Sequence, residues 1–119
     1  VDGLEGASYV DTAQEDQPTL IQEGPITFGE MVDRVFDTNL SPRIVDPAIG
    51  RVISIEAEDA GTTIVWNPGP EAAKEIPDLS KSEWKQFVCV ESGNARENAV
   101  TLPPHHCHTV RVSYRVERM

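Results

Sequence analysis

Hydrophobic and polar positions alternate in several short runs of this chain. TVRVSYRVE (109–117) is the cleanest. Val110, Val112, Tyr114 and Val116 fall on one side, and Thr109, Arg111, Ser113, Arg115 and Glu117 on the other. A period of two is the signature of a strand with one covered face. MVDRVF (31–36) alternates in the same way, with Val32, Arg34 and Phe36 opposite Met31, Asp33 and Val35. RVISIEA (51–57) and TTIVWN (62–67) are rich in β-branched residues and are separated by the tight-turn sequence EDAG (58–61). This pattern predicts an antiparallel hairpin over 51–67. RIVD (43–46), followed by the turn residues PAIG (47–50), and a stretch near Ala7–Asp11 are further short strands. The rest of residues 1–30 shows little periodicity and is expected to be irregular.

FVCVE (87–91) is apolar at consecutive positions, which predicts a strand covered on both sides. NPGP (67–70) must end any strand, because two prolines and a glycine cannot continue a ladder. Helical material is confined to 71–86. EAAKE makes a turn or two before Pro77, and Ser80 or Ser82 caps a short SEWKQF helix with Glu83 in its first turn. The expected fold class is all-β: an antiparallel β-sandwich, or part of one, with one short helix.

Composition narrows the functions. The 119 residues suffice for one domain with a modest core. The formal net charge of −10 argues against nucleic acid and anionic membranes as partners, since both call for a basic surface. No apolar run approaches a membrane span, and a cytoplasmic location is expected. The first residue is Val rather than Met, as in a processed chain or a piece of a longer one. Cys89 and Cys107 are too few for a disulfide framework, although they could pair. Cys89, within an apolar run, reads as a small buried hydrophobe.

Four features carry candidate chemistry. PPHHCH (103–108) holds all three histidines and one of the two cysteines. Zinc needs ligands that converge, usually across spacers that let the backbone wrap the ion. Consecutive His105, His106, Cys107 and His108 lack such spacers, and no second ligand pair exists, so no metal is expected. Glu91 ends the apolar run 87–90. A carboxylate there loses hydration, which raises its pKa toward that of a useful base; the structural alternative is a strand end emerging into solvent. Asp33 and Arg34 are charged positions inside an apolar strand, presented either to solvent or to a cleft. Trp66 is a core aromatic or a wall against a sugar ring, with Asn67 as a hydrogen-bonding neighbour.

VWNPGP (65–70), EWKQFVCVESGNA (83–95) and VTLPP…HTVRVSYRV (100–116) resemble the C-terminal portion of the D-hexose-6-phosphate mutarotases, or glucose-6-phosphate 1-epimerases, of the aldose 1-epimerase family. VDGLEGASYVD (1–11) and VDRVF (32–36) resemble the family's preceding segments in the same order. WNPGP with FVCVE at this spacing is the specific part of the match.

The resemblance implies that 1–119 is the C-terminal portion of a β-sandwich domain of the galactose mutarotase supersandwich type. It implies an enzyme that interconverts α and β anomers of a hexose 6-phosphate by acid–base ring opening, with no cofactor. Glu91 falls on the family's general base. Asp33 falls on a sugar-hydroxyl ligand, and Trp66 and Asn67 on a segment near the pocket. Arg34 is the one candidate for a contact near the phosphate. The family's catalytic histidine and phosphate-binding arginines precede the matched region, so the N-terminal part of the same protein is the expected partner and the isolated chain is expected to be inactive. The expected ligand is a sugar or sugar phosphate. Three rival readings remain: a non-catalytic carbohydrate-binding β-sandwich module, a metal-binding β-domain built on 105–108, and an epimerase of unphosphorylated sugars.

Overall fold

A computed structural model describes all residues, Val1–Met119. Eight strands form two antiparallel sheets: β1 (Ser8–Asp11), β2 (Thr19–Ile21), β3 (Val32–Phe36), β4 (Arg43–Asp46), β5 (Arg51–Glu58), β6 (Thr62–Asn67), β7 (Cys89–Gly93) and β8 (Arg111–Arg118). The larger sheet runs β2-β1-β3-β6-β7 and the smaller β4-β5-β8. The one α-helix, α1 (Gly69–Ala73), is five residues long, and the expected SEWKQF helix is a 3-10 turn over Glu83–Gln86. The all-β class with a single short helix is therefore the observed one. No helix is long and apolar enough to cross a membrane.

The expected hairpin over 51–67 does not form. β5 pairs with β4 and β8, whereas β6 pairs with β3 and β7, so EDAG carries the chain from one sheet to the other. The physical reason lies in the connection. Ala60 is buried at its centre, and Asp59 takes a left-handed conformation at φ 59°. Gly61 finds its hydrogen bonds away from β5: its N–H donates to Asn94 Oδ1 at 2.9 Å, and its carbonyl accepts from Asn98 Nδ2 at 2.9 Å. The loop after β7 thus takes the backbone groups that a hairpin would have given to β5. The close approach also explains the glycine, since a Cβ at Gly61 would lie 2.9 Å from Asn98 Cγ.

The core is a cluster of Leu4, Tyr9, Ile26, Val32, Phe36 and Val65, with Tyr9 and Phe36 rings 5.2 Å apart. It gathers one face of the larger sheet and the segments on either side of β1 and β2. Residues 1–30, expected to be irregular apart from a short strand near Ala7–Asp11, also contain the whole of β2 and three of these core residues, Leu4, Tyr9 and Ile26. Burial thins toward the smaller sheet. Ile55 is buried, but Tyr114 and Val116, on the same face by register, are 65% and 62% exposed.

Candidate functional site

β3, β6 and β7 lie side by side, and their register decides which side chains meet. Asp33 faces Trp66, which faces Cys89; Val35 faces Ile64, which faces Glu91. Paired residues share a face and alternate along each strand. One face of the larger sheet therefore carries Asp33, Val35, Ile64, Trp66, Cys89 and Glu91. The other carries Val32, Arg34, Phe36, Val65 and Asn67 and packs on the core. Asp33 and Glu91 are two strands and one pleat repeat apart, so their Cα atoms are separated by about 12 Å from standard sheet spacings. Trp66 stands between β3 and β7 on that face and packs against Phe87 with ring centroids 6.0 Å apart.

β7 is the edge of its sheet, with Phe87–Val90 half-buried and Glu91 exposed. The expectation of a strand covered on both faces is thus corrected: none of Phe87–Val90 is fully buried, and Glu91 is exposed. Cys89 is half-buried rather than buried. Its thiol is pushed above its ordinary value of 9.0, first by burial and then by the negative charge of Glu91, so it stays protonated at neutral pH. Cys89 and Cys107 are both free thiols.

Arg34 and Asn67 belong to the opposite face. Arg34 Nη1 donates to Gln22 Oε1 at 2.7 Å, and its guanidinium lies 4.8 Å from the Tyr9 ring centroid, within cation–π range. It lines a shallow cleft of about 720 Å³ with Tyr9 and residues 19–27. Asn67 is fully buried. Its Nδ2 donates to the carbonyls of Trp84 and Phe87, both at 2.8 Å, and its Oδ1 accepts from Gly69 N–H at 2.9 Å. One side chain thereby ties the end of β6, the turn into α1, the 3-10 turn and the approach to β7. Gly69, at φ 67°, has no room for a side chain: a Cβ would lie 2.5 Å from Met31 N. WNPGP is in this chain a structural joint that fixes where β7 begins beside Trp66.

The histidine-rich segment is largely exposed. His105 takes a left-handed conformation at φ 67°, and His106 Nδ1 lies 3.2 Å from the Pro104 carbonyl. His108 Nε2 is 3.0 Å from the Asp59 carbonyl and 3.2 Å from Asn94 Nδ2. His108 is thus part of the polar node at the β5–β6 crossing. No group of three or more His, Cys, Asp or Glu side chains is placed to hold a metal ion. Sequence reasoning missed Asn94 and Asn98, which sit in the loop SGNAREN and organise that node. The only signal was a pair of asparagines in a loop, residues suited to bonding backbone groups.

The aldose 1-epimerase family matches residues 3–115, nearly the whole chain. The chain belongs to the aldose 1-epimerase family. An Escherichia coli (strain K12) protein named "Putative glucose-6-phosphate 1-epimerase" is 30% identical over 97% of this chain and 40% of its own length. A Cenchrus ciliaris protein of the same name is 31% identical over 87% of the chain and 32% of its own length. The chain therefore spans less than half the length of these relatives. No solved structure matches it.

Proposed function

We propose that this chain supplies the general-base side of a hexose 6-phosphate anomerase site. The observation that carries the reading is that Asp33, Trp66 and Glu91, from three strands far apart in sequence, share one face of the larger sheet. In this reading the Glu91 carboxylate takes the proton of the C1 hydroxyl while an acid protonates the ring oxygen. The C1–O bond breaks, the open aldehyde rotates about C1–C2, and reclosure gives the other anomer. Asp33 accepts hydrogen bonds from sugar hydroxyls, and Trp66 forms an apolar wall between the two carboxylates. General acid–base assistance of roughly a hundred- to ten-thousand-fold is adequate for a reaction that proceeds unaided in water.

The proton donor comes from a further part of the polypeptide, the part that the longer relatives have outside the matched region. That part also covers β7. Glu91 is exposed here, and a base is tuned to neutral pH by desolvation. Arg34 and Asn67 have structural roles in this reading, with Arg34 facing a separate cleft and Asn67 holding the joint before β7.

The test is anomer exchange of glucose 6-phosphate by two-dimensional NMR. The 119-residue chain is expected to match a buffer blank, and the longer polypeptide to exchange at a rate that Glu91→Gln abolishes. An unchanged rate in that variant would refute the assignment of Glu91. A second reading, a non-catalytic carbohydrate-binding module, is favoured by the exposure of Glu91. It requires sugar phosphate binding to the face of Trp66 with no exchange even in the longer polypeptide.

A further inference from the structure

We infer that Asn67 and Asn94 are positioning residues for Glu91: two side-chain clamps, one at each end of the β6–β7 pair, select the register that sets Glu91 opposite Ile64 and diagonal to Trp66. The inference rests on the reading of Glu91 as the base. Register is ordinarily set by the hydrophobic pattern, because a slip of one residue turns every side chain to the other face. Phe87, Val88, Cys89 and Val90 are all apolar and all half-buried, so much of that guidance is missing in β7. In the observed register Trp66 pairs with Cys89, Val65 with Val90 and Ile64 with Glu91. A slip of one residue either way would set Glu91 against Val65 or Thr63, both buried on the core face, and burying an unpaired carboxylate is costly. A slip of two residues in one direction meets no such barrier. It pairs Trp66 with Phe87, Val65 with Val88 and Ile64 with Cys89, an apolar partner each time. The opposite slip of two sets Ser92 against buried Val65 and loses an apolar pair.

The apolar slip would carry Glu91 two residues along β6, about 7 Å, well beyond hydrogen-bonding reach of a substrate held at its present position. What the slip breaks is the clamps. At the entry to β7, Asn67 Nδ2 donates to the carbonyls of Trp84 and Phe87, both at 2.8 Å. At the exit, Asn94 Oδ1 accepts from the Gly61 N–H at 2.9 Å. Asn98 Nδ2 donates to the Gly61 carbonyl at 2.9 Å, and Thr62 Oγ1 donates to the Ala95 carbonyl at 3.2 Å. These bonds join a side chain to one particular backbone group, so they exist in one register only. Ladder bonds re-form after a slip of two residues, because the hydrogen-bonded pairs alternate. Asn67 and Thr62 are buried, where a lost partner leaves a polar group unsatisfied. The clamps therefore discriminate between two registers that the apolar pattern leaves close in energy.

NMR of the 119-residue chain reads the register from backbone contacts between β6 and β7. The parent chain should show Val65 against Val90 and Ile64 against Glu91. In the variant Asn67→Ala, Asn94→Ala a second set should appear, Val65 against Val88 and Ile64 against Cys89. Its population should rise at least about tenfold, since each lost hydrogen bond shifts the balance several-fold. Contacts between Val10 and Val35 report that the rest of the sheet is intact. A merely structural role would lower stability and leave a single register. The variant Ser92→Asn, Asn94→Ala moves the far clamp back by two residues and keeps Asn67, so it decides the matter if the first variant does not fold. It too should raise the slipped set. The native register alone in the deciding variant would overturn the proposal and leave the assignment of Glu91 standing. A slipped register, together with exchange in the longer polypeptide that Glu91→Gln leaves unchanged, would refute the base and keep the clamps.

Discussion

Cys89 lies two residues before Glu91 on the same face of β7, and the charge of Glu91 adds to burial in keeping the Cys89 thiol protonated. The cysteine is therefore a reporter placed beside the proposed base. In a Cys107→Ser chain, thiol modification of Cys89 should accelerate with pH around a midpoint above the ordinary 9.0. Glu91→Gln should lower that midpoint, because removing a neighbouring negative charge favours the thiolate. An unmoved midpoint would mean that the carboxylate does not act on this side of the strand.

The same shift has a consequence for stability. The folded thiol holds its proton to higher pH than the unfolded thiol does. Its contribution is therefore fully present below the unfolded value and is lost as pH rises past 9.0 through the folded value. Urea titrations should show Cys89→Ser flattening part of the alkaline loss of stability, with no effect on the pH dependence near neutrality.

Asn67→Ala should be among the most damaging polar substitutions in the chain. It strands the carbonyls of Trp84 and Phe87 and the N–H of Gly69 in a buried joint. Each unsatisfied buried group costs about 1–3 kcal/mol, so a loss of at least about 2 kcal/mol is expected. Chemical denaturation gives the number. The Trp66 fluorescence should also change, because the joint sets Phe87 against it.

Gly69→Ala should destabilise through the backbone alone. A left-handed alanine costs about 1–2 kcal/mol before any clash, and here the new Cβ meets Met31 N. Gly93→Ala makes a useful control, since a Cβ there meets nothing within 4 Å. Its melting temperature should stay close to that of the parent chain.

His108→Ala removes one arm of the node at the β5–β6 crossing. A net loss of about 1 kcal/mol is expected for a partly solvated hydrogen-bonded group. Hydrogen exchange at Gly61, whose N–H is held by Asn94, should accelerate in this variant more than exchange in β1 or β3. Equal acceleration everywhere would instead indicate a global effect.

The strands were readable where alternation was strong. Val32–Phe36 falls within the segment 31–36 that period-two patterning marks, and Arg111–Arg118 overlaps the marked segment 109–117 in all but its last residue. The pairing of β5 and β6 was not readable, because Glu58–Gly61 looks like a tight turn and only partners distant in sequence reveal it as a crossing. Asn94 and Asn98 are 33 and 37 residues from Gly61, and nothing local announces them. The site was partly legible for the same reason. Alternation separated Asp33 from Arg34 within one strand. Register across three strands was needed to bring Asp33, Trp66 and Glu91 to one face and to send Asn67 to the other. The cover expected over Phe87–Glu91 depends on what packs against the two faces of β7, which no pattern within the strand can specify.

The crossing between β5 and β6 also bears on how the chain reaches its fold. Because β5 does not pair with the strand that follows it, its second neighbour is β8, and the contact from Glu58 to Arg111 spans 53 residues. Closing so long a loop is costly in entropy, and such contacts form slowly compared with the local β4–β5 hairpin. During synthesis, Arg51–Glu58 emerges well before β8, the strand that pairs along its second side. The order of emergence, rather than the strength of any one pair, then sets how long an unpaired edge is open to other chains.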